Sequence, residues 1–225
     1  MNRNILALDT SGDCCSVAIL PPSSLRGAHE VNDAAIYIER SIVAPREHTK
    51  FIMQMINEVL DEAEIRIADL ACIVFSHGPG SFTGIRLAAS IVQGLAFPHD
   101  IPVMGISTLR AIAQELFETE SHVNVLVVLD ARMGEIYLGK YAAKDGIMQP
   151  LIPDAIIKPD GKMVEMFSEG FVVAGSGYEF NNLPCAQARY VARLAHYDMV
   201  VSGLKAGEAE KALPVYLRNE IVTLQ

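Results

Sequence analysis

The stretch from Ser76 to Arg86, SHGPGSFTGIR, limits the folding options of this chain more than any other. Gly78, Gly80 and Gly84 surround Pro79, so positive φ is accessible at the glycines while φ is fixed at the proline, and neither a strand nor a helix interior accommodates that combination. The apolar run Ala71-Cys72-Ile73-Val74-Phe75 precedes it, and a helix rich in small residues is predicted after it, from Thr83 to Phe97. A turn this constrained, placed between a buried strand and a buried helix, is a deliberate junction.

At 225 residues the chain supports one large domain or two of about 100 residues each, with enough core to dispense with staples. Hydrophobic residues make up 51% of it, yet no apolar run approaches the ~20 residues that span a bilayer, so the hydrophobicity implies a large core and no membrane partner. The opening MNRNILALD enters a strand directly and lacks the order of a signal peptide, so a cytoplasmic location is expected. Cys14, Cys15, Cys72 and Cys185 show no CxxC spacing and no neighbouring histidine cluster; buried free thiols are expected in place of zinc or disulfides. A net charge of −9, from 18 basic and 27 acidic residues, argues against a chain that grips a phosphate backbone unaided.

Ile5-Leu6-Ala7-Leu8 reads as a strand closed by Asp9, and the turn Thr10-Ser11-Gly12-Asp13 returns the chain into a second strand over 14–20. Residues 21–33 read as a surface loop, and a third strand is expected from Ala35 to Val43. A helix capped by Thr49 follows, with Phe51, Ile52, Met55, Ile56, Val59 and Leu60 on one stripe. The helix over 83–97 is apolar on most sides, with Gly84, Ala88, Ala89 and Gly94 permitting close approach; it is either a central core helix or one whose second face meets a partner. In the second half, the strand 125–129 is again closed by an aspartate, Asp130, and after Ala131-Arg132-Met133-Gly134 the chain returns over 135–141. This repeats the strand, aspartate, turn, strand order of residues 5–20, although aspartate at a hairpin tip is also ordinary turn chemistry. A strand at 171–174 running into Gly175-Ser176-Gly177, a helix over 186–201 and a surface-docked tail at 214–217 complete the chain.

The familiar phosphate loops do not fit the glycine stretch. Gly80 and Gly84 enclose three residues and lead into Ile85-Arg86, where a Walker A loop needs four followed by lysine. A dinucleotide fingerprint would require glycine where Thr83 stands. The loop remains either a presenter of backbone N–H groups to an anion or a packing junction. Ser81 lacks GxSxG context, no histidine pair stands four apart on a helix, and His48 is either a ligand or a neighbour of a helix cap.

Five ordered segments, ILALDTS (5–11), GPGSFTGIR (78–86), IPVMGISTL (101–109), DARMGEIY (130–137) and PVYLR (214–218), closely resemble the TsaB (YeaZ) family across Ile5 to Arg218. That family serves the synthesis of threonylcarbamoyladenosine next to the anticodon of tRNAs reading codons that begin with A. The resemblance implies an actin-like ATPase fold (sugar kinase, Hsp70, actin; RNase H-like) in two related α/β lobes, 1–100 and 101–225. It implies phosphate-facing turns at Asp9, Ser11, Gly12 and at Asp130, Arg132, with Gly175 and Gly177 near a nucleoside, and no required cofactor, ATP or ADP being held weakly or at a partner interface. The catalytic relative TsaD carries a metal-binding HxxxH in the segment where this chain has Thr108 and Ile112. Neither side chain replaces an imidazole ligand, so no metal and no catalytic residue are expected here.

What the resemblance implies is a non-catalytic partner of TsaD, with TsaE in a larger complex and with the TsaC product, threonylcarbamoyl adenylate, used by TsaD. Contact with tRNA falls mainly to other subunits, and the isolated chain is expected as a homodimer. The implied interface comprises Phe51, Met55, Val59, Ser81, Phe82, Gly84, Ile85, Leu87, Ala88, Ile91 and Leu95, with Ala88→Arg abolishing pairing in a folded monomer. The competing reading is an autonomous enzyme of the same superfamily, a small-molecule kinase or a metallopeptidase.

Overall fold

Ile5-Leu6-Ala7-Leu8 has no polar side to offer water, and it is buried on both faces. In the computed structural model, which describes residues 4–21, 38–159, 168–177, 180–181 and 186–219, it forms β1 (Asn4–Asp9) at the centre of a five-stranded sheet. The others are β2 (Cys14–Leu20), β3 (Ile38–Val43), β4 (Leu70–Gly78) and β5 (Val103–Ser107), in the order β3-β2-β1-β4-β5. β1, β2 and β3 are antiparallel neighbours, whereas β4 and β5 run parallel to β1. Alternation divides the sheet between two layers. Leu6 and Leu8 pack with the helices α1 (His48–Glu62) and α2 (Phe82–Ala96), and Ile5 and Ala7 pack with the helix α4 (Ala188–Val200).

The second sheet repeats that plan. β6 (Asn124–Arg132) and β7 (Glu135–Lys144) form the hairpin, β8 (Ile147–Pro150) and β9 (Ala155–Ile157) both pair antiparallel with β7, and β10 (Val172–Gly177) runs parallel to β6 with β11 (Phe180–Asn181) beside it. The helix α3 (Thr108–Glu120) covers one face through Leu109, Ile112, Ala113 and Leu116. In each sheet a hairpin supplies the first two strands and a later strand returns parallel to the first, which makes the two-lobed actin-like α/β fold expected from the resemblance. β5 belongs to the first sheet and α4 returns to it, so residues beyond 100 contribute to both layers.

Several local expectations shift. α1 begins at His48, with Glu47 in the cap position making no side-chain bond, and Thr49 lies inside the first turn. The turn before it, with Arg46 at φ 66°, brings the backbone into helical geometry earlier than a Thr49 cap would. α2 begins at Phe82, one residue early, because the Ser81 hydroxyl accepts from the Gly84 N–H at 3.3 Å. The loop expected over 21–33, beyond its first residue, and the beginning of the strand expected at Ala35 lie outside the described residues. Cys14 is disulfide-bonded, which corrects the expectation of four free thiols: spacing along the chain does not report which cysteines a fold brings together. Cys15 and Cys72 are free and buried, and burial pushes their thiols up to about 11 and about 12, so both are inert. No helix among the described residues is long and apolar enough to cross a membrane.

The lobes are joined through α3 by polar bonds sheltered from water. Arg110 donates to both oxygens of Asp198 on α4, at 2.6 and 3.0 Å, and its Nε donates to the Met148 carbonyl at 2.8 Å. Gln114, fully buried, accepts from the Met148 N–H and donates to the Gly146 carbonyl. Ser107 donates to Asp154 at 2.5 Å, and Tyr141 donates to the same carboxylate. Removing one partner of a buried ion pair leaves the other uncompensated. Asp198→Ala is therefore expected to cost about 3–5 kcal/mol in urea unfolding, and the double replacement Arg110→Met with Asp198→Leu to recover most of that loss.

Candidate functional site

At the end of β1 the backbone turns, and the Asp9 carboxylate satisfies the turn from inside. Its Oδ1 accepts from the N–H and the hydroxyl of Ser11, each at 2.9 Å, and its Oδ2 accepts from the Ser76 hydroxyl on β4. Asp9 is wholly buried, and desolvation raises it to about 6 against the pull of those three donors. The glycine loop closes over this turn. The Ser81 N–H donates to the Ser11 carbonyl at 2.7 Å, and the Thr10 hydroxyl donates to the Gly84 carbonyl at 2.7 Å. A Cβ on Gly80 would stand 2.5 Å from the Ser11 carbonyl oxygen, and one on Gly84 only 1.8 Å from that of Thr10. Of the two readings left open for the loop, the packing junction describes these contacts: its glycines admit backbone against backbone.

Asp130 at the end of β6 repeats the local geometry in a different setting. Its Oδ1 accepts from the Arg132 N–H at 2.7 Å, as Asp9 does from Ser11, while its Oδ2 pairs with the Arg132 guanidinium at 2.9 Å. Here the tip is open, with the Arg132 side chain 85% exposed. Gly175 is pressed against β6, where a Cβ would lie 2.4 Å from the Val128 carbonyl oxygen, and Gly177 is paired with Phe180. Gly12 has open space around it.

Thr108 and Ile112 lie on the buried side of α3; Ile112 packs with Leu109, Val127 and Tyr141, and the Thr108 hydroxyl is buried without a hydrogen-bond partner. Among the described residues no three His, Cys, Asp or Glu side chains gather as a metal site. His48 is the first residue of α1, buried, with its Nε2 unpartnered. His77 is held neutral, burial lowering it to about 4; its carbonyl accepts from the Val215 N–H at 2.9 Å, and its ring occupies the space that a Cβ on Gly105 would need.

The helical face divides in two. Met55, Val59, Gly84, Ile85 and Ala88 point into the chain's own core and are buried, so Ala88→Arg tests folding and not association. Phe51, Leu87, Ile91 and Leu95 are half-buried along the edge of that core, and Ser81 and Phe82 are exposed. Gly94 is exposed on the same helix, with nothing within 4 Å of the position a Cβ would take. A helical glycine that serves no internal contact costs about 1 kcal/mol relative to alanine.

Two features escape sequence inspection. Glu115 on α3 is buried with an unpartnered Oε2, and desolvation, followed by the field of Asp9, raises it to about 8. Arg86 lies over the Phe82 ring, its Cζ 3.5 Å from the centroid, and donates from Nε to the Tyr216 hydroxyl at 2.7 Å. The adjacency of Phe82 and Arg86 at helical spacing was visible, but no pattern brings in Tyr216 from the other end of the chain.

Comparison with known proteins gives a consistent result. The family described as TsaD, tRNA N6-adenosine threonylcarbamoyltransferase, matches residues 41–221. The tRNA threonylcarbamoyladenosine biosynthesis protein TsaB of Escherichia coli K12 is 30% identical over 96% of this chain and 95% of its own length. That of Haemophilus influenzae is 32% identical over 98% of this chain and 95% of its own. A crystal structure from Pseudomonas aeruginosa, titled as a protein with similarity to peptidase YEAZ, is 30% identical and superposes with a TM-score of 0.78, covering 96% of this chain and all of that one.

Gly84→Ala, which forces a methyl group into the Thr10 carbonyl, is expected to remove at least ~3 kcal/mol of unfolding free energy in urea or to prevent folding. Gly94→Ala is expected to add up to about 1 kcal/mol in the same measurement. The raised acids set a pH slope. A carboxyl whose folded value lies above its unfolded one holds a proton that the unfolded chain has released, so its contribution is fullest at low pH and is lost as pH rises through the folded value. For Asp9 the loss runs from about 4 to 6, and for Glu115 from about 4.5 to 8. Up to about pH 7 the neutral His77 offsets this slope, because the unfolded chain holds a proton there that the folded chain does not. From about pH 7 to 8 urea unfolding should show wild-type stability falling by up to about 1 kcal/mol per pH unit, and Glu115→Gln flattening that decline.

Proposed function

We propose, for a chain that belongs to the TsaB (YeaZ) family of tRNA threonylcarbamoyladenosine biosynthesis proteins, the role of a non-catalytic subunit that docks on TsaD and holds it competent to transfer the threonylcarbamoyl group to tRNA. The observation that carries this reading is the outer face of α2. Its inner face is committed to the core, yet Phe82 stays 58% exposed, Leu87, Ile91 and Leu95 are half-covered, and Gly94 leaves room beside them for another backbone. Such a face buries most of its remaining apolar surface only against a second chain.

The first hairpin supports the same reading. An actin-like hairpin that handles phosphate needs donors and a carboxylate open to the ligand, whereas here Asp9 is enclosed and the Thr10 to Ser11 turn is filled by the chain's own loop. The second hairpin, with Arg132 exposed, is the turn that could meet a nucleotide phosphate at a partner interface, and no cofactor of the chain's own enters this role. TsaE in a larger assembly, the use by TsaD of the adenylate made by TsaC, tRNA contact through other subunits and homodimerisation of the isolated chain belong to this proposal. The competing reading, an autonomous kinase or metallopeptidase, predicts ATP turnover or peptide hydrolysis by the isolated chain that depends on Asp9.

Gly94→Arg is the direct test. Its side chain extends into open space in the monomer, and arginine is the better helix former by about 1 kcal/mol, so thermal unfolding should be unchanged or improved. At a packed helical interface the same side chain buries a charge without a partner. Co-purification with TsaD should be lost, and reconstituted tRNA modification should fall to the level seen without this chain. Retained binding with full modification, or modification that proceeds equally well with the chain omitted, would overturn the proposal.

A further inference from the structure

Arg86 sits on the exposed side of α2 in a setting no other described arginine shares. Its guanidinium carbon lies over Phe82 at 3.5 Å and at 5.6 Å from the Tyr216 centroid, its Nε is anchored on the Tyr216 hydroxyl, and the two rings stand 6.2 Å apart at 51°. Tyr216 is delivered by a tail that is itself fixed. That segment runs antiparallel to α2, tied by Gln93 to the Ala212 carbonyl at 3.1 Å and by Val215 to the His77 carbonyl, with Ala212 and Leu217 buried on either side. The outer fork of Arg86 therefore points from a rigid support, with its rotamer entropy already spent.

The other described arginines, Arg46 apart, close on carboxylates of this chain, Arg132 on Asp130 and Arg218 on Glu135 among them. Arg86 closes on none, and α2 from Phe82 to Ala96 contains no acidic residue. We infer that Arg86, held between Phe82 and Tyr216, is the carboxylate-reading anchor of the α2 face, and that its occupant is an Asp or Glu side chain of a different polypeptide. This inference rests on the docking role proposed above and gives it a specificity element.

Charge complementarity decides between occupants. A second copy packed α2 against α2 about a two-fold axis sets the guanidinium against a helix with no carboxylate and desolvates it unpaired. A nucleic-acid strand requires several free cations along its phosphates, and this chain carries a net charge of −9 with Arg132 and Arg218 already engaged nearby. A partner carboxylate instead receives two parallel N–H bonds from the fork while Phe82 and Tyr216 exclude water around them, the pattern of an interface hot spot. The N-terminal half of α2 favours the same charge, since its dipole attracts anions.

The experiment measures the dissociation constant of TsaD by calorimetry for the full chain and for Arg86→Ala, Arg86→Lys, Arg86→Glu and Tyr216→Phe, with the mass of the isolated chain by light scattering and its affinity for tRNA. Arg86→Ala is expected to weaken TsaD binding 10- to 100-fold, Arg86→Lys to restore little because it lacks the fork, Arg86→Glu to lose more than 100-fold, and Tyr216→Phe to lose about 3- to 10-fold, with Arg86→Ala leaving the homodimer as strong or stronger. Unchanged TsaD affinity in Arg86→Ala, while Gly94→Arg still abolishes binding, would overturn this inference and leave the docking role standing; unchanged affinity in both would overturn the docking role. Equal loss of homodimerisation, or loss of tRNA affinity with TsaD binding retained, would also overturn it, assigning the residue to a second copy or to nucleic acid.

Discussion

The backbone contact between the Thr10 to Ser11 turn and the Gly80 to Gly84 loop is the constraint on which the rest of the structure depends. It places the start of α2 against the end of β1 with no side chain between them, at a separation that any Cβ on Gly84 would forbid. The hydrogen bonds from Thr10 to Gly84 and from Ser81 to Ser11 then hold both partners, and Asp9 completes the turn from beneath. Once the start of α2 is pinned, its direction over the sheet is settled, and Ala88, Ala89, Val92 and Ala96 fill the layer above Leu6 and Leu8. Burying an ionisable group there carries a cost that three donors only partly offset, which is why Asp9 is raised despite them.

The two hairpins are the same device put to different use. In each, an aspartate at the end of the lobe's first strand accepts from the N–H two residues on, a local turn geometry written into the sequence at both places. What differs is what lies above. The first turn is roofed by the glycine loop, and the second stays open with an arginine at its tip. In a two-lobed fold descended from one plan, this asymmetry turns one hairpin into part of the core and leaves the other available for contact.

Much of this was legible because it is periodic or local. The fully apolar strands, the strand-aspartate-turn-strand repeat, the helical stripes and the glycine junction all announce themselves within a dozen residues, and the paired sheets were expected from the family resemblance, which the repeat fits. Legibility fails where partners come from distant segments. The stripe of α1 and α2 shows that these helices are amphipathic, but not that Met55, Val59 and Ala88 face inward while Leu87 and Ile91 lie at the edge, since that depends on which side of the sheet each helix takes. The bonding of Cys14, the enclosure of His77 by Gly105 and the burial of Glu115 beside the field of Asp9 likewise depend on tertiary placement. Thr49 failed as a cap for a local reason: the turn through Arg46 ends at Glu47, which takes the cap position two residues earlier.

The enclosure of Asp9 and the openness of α2 follow from a single choice. A loop that opens the Asp9 turn to a phosphate would have to withdraw Gly80 and Gly84, and with them the helix they begin, from the end of β1. Keeping the contact gives up that opening but fixes the start of α2, as the docking role proposed for its outer face requires. Rigidity matters there because ordering a mobile helix at the moment of association would consume much of what its modest apolar surface returns. The tail applies the same logic to one side chain: Tyr216, 130 positions from Arg86, lies in a segment tied down through Gln93 and His77, and its hydroxyl orients the guanidinium within the chain itself. A chain built in this way commits its glycine loop to its own architecture, and the loop holds in place the helix that carries Phe82 and Arg86.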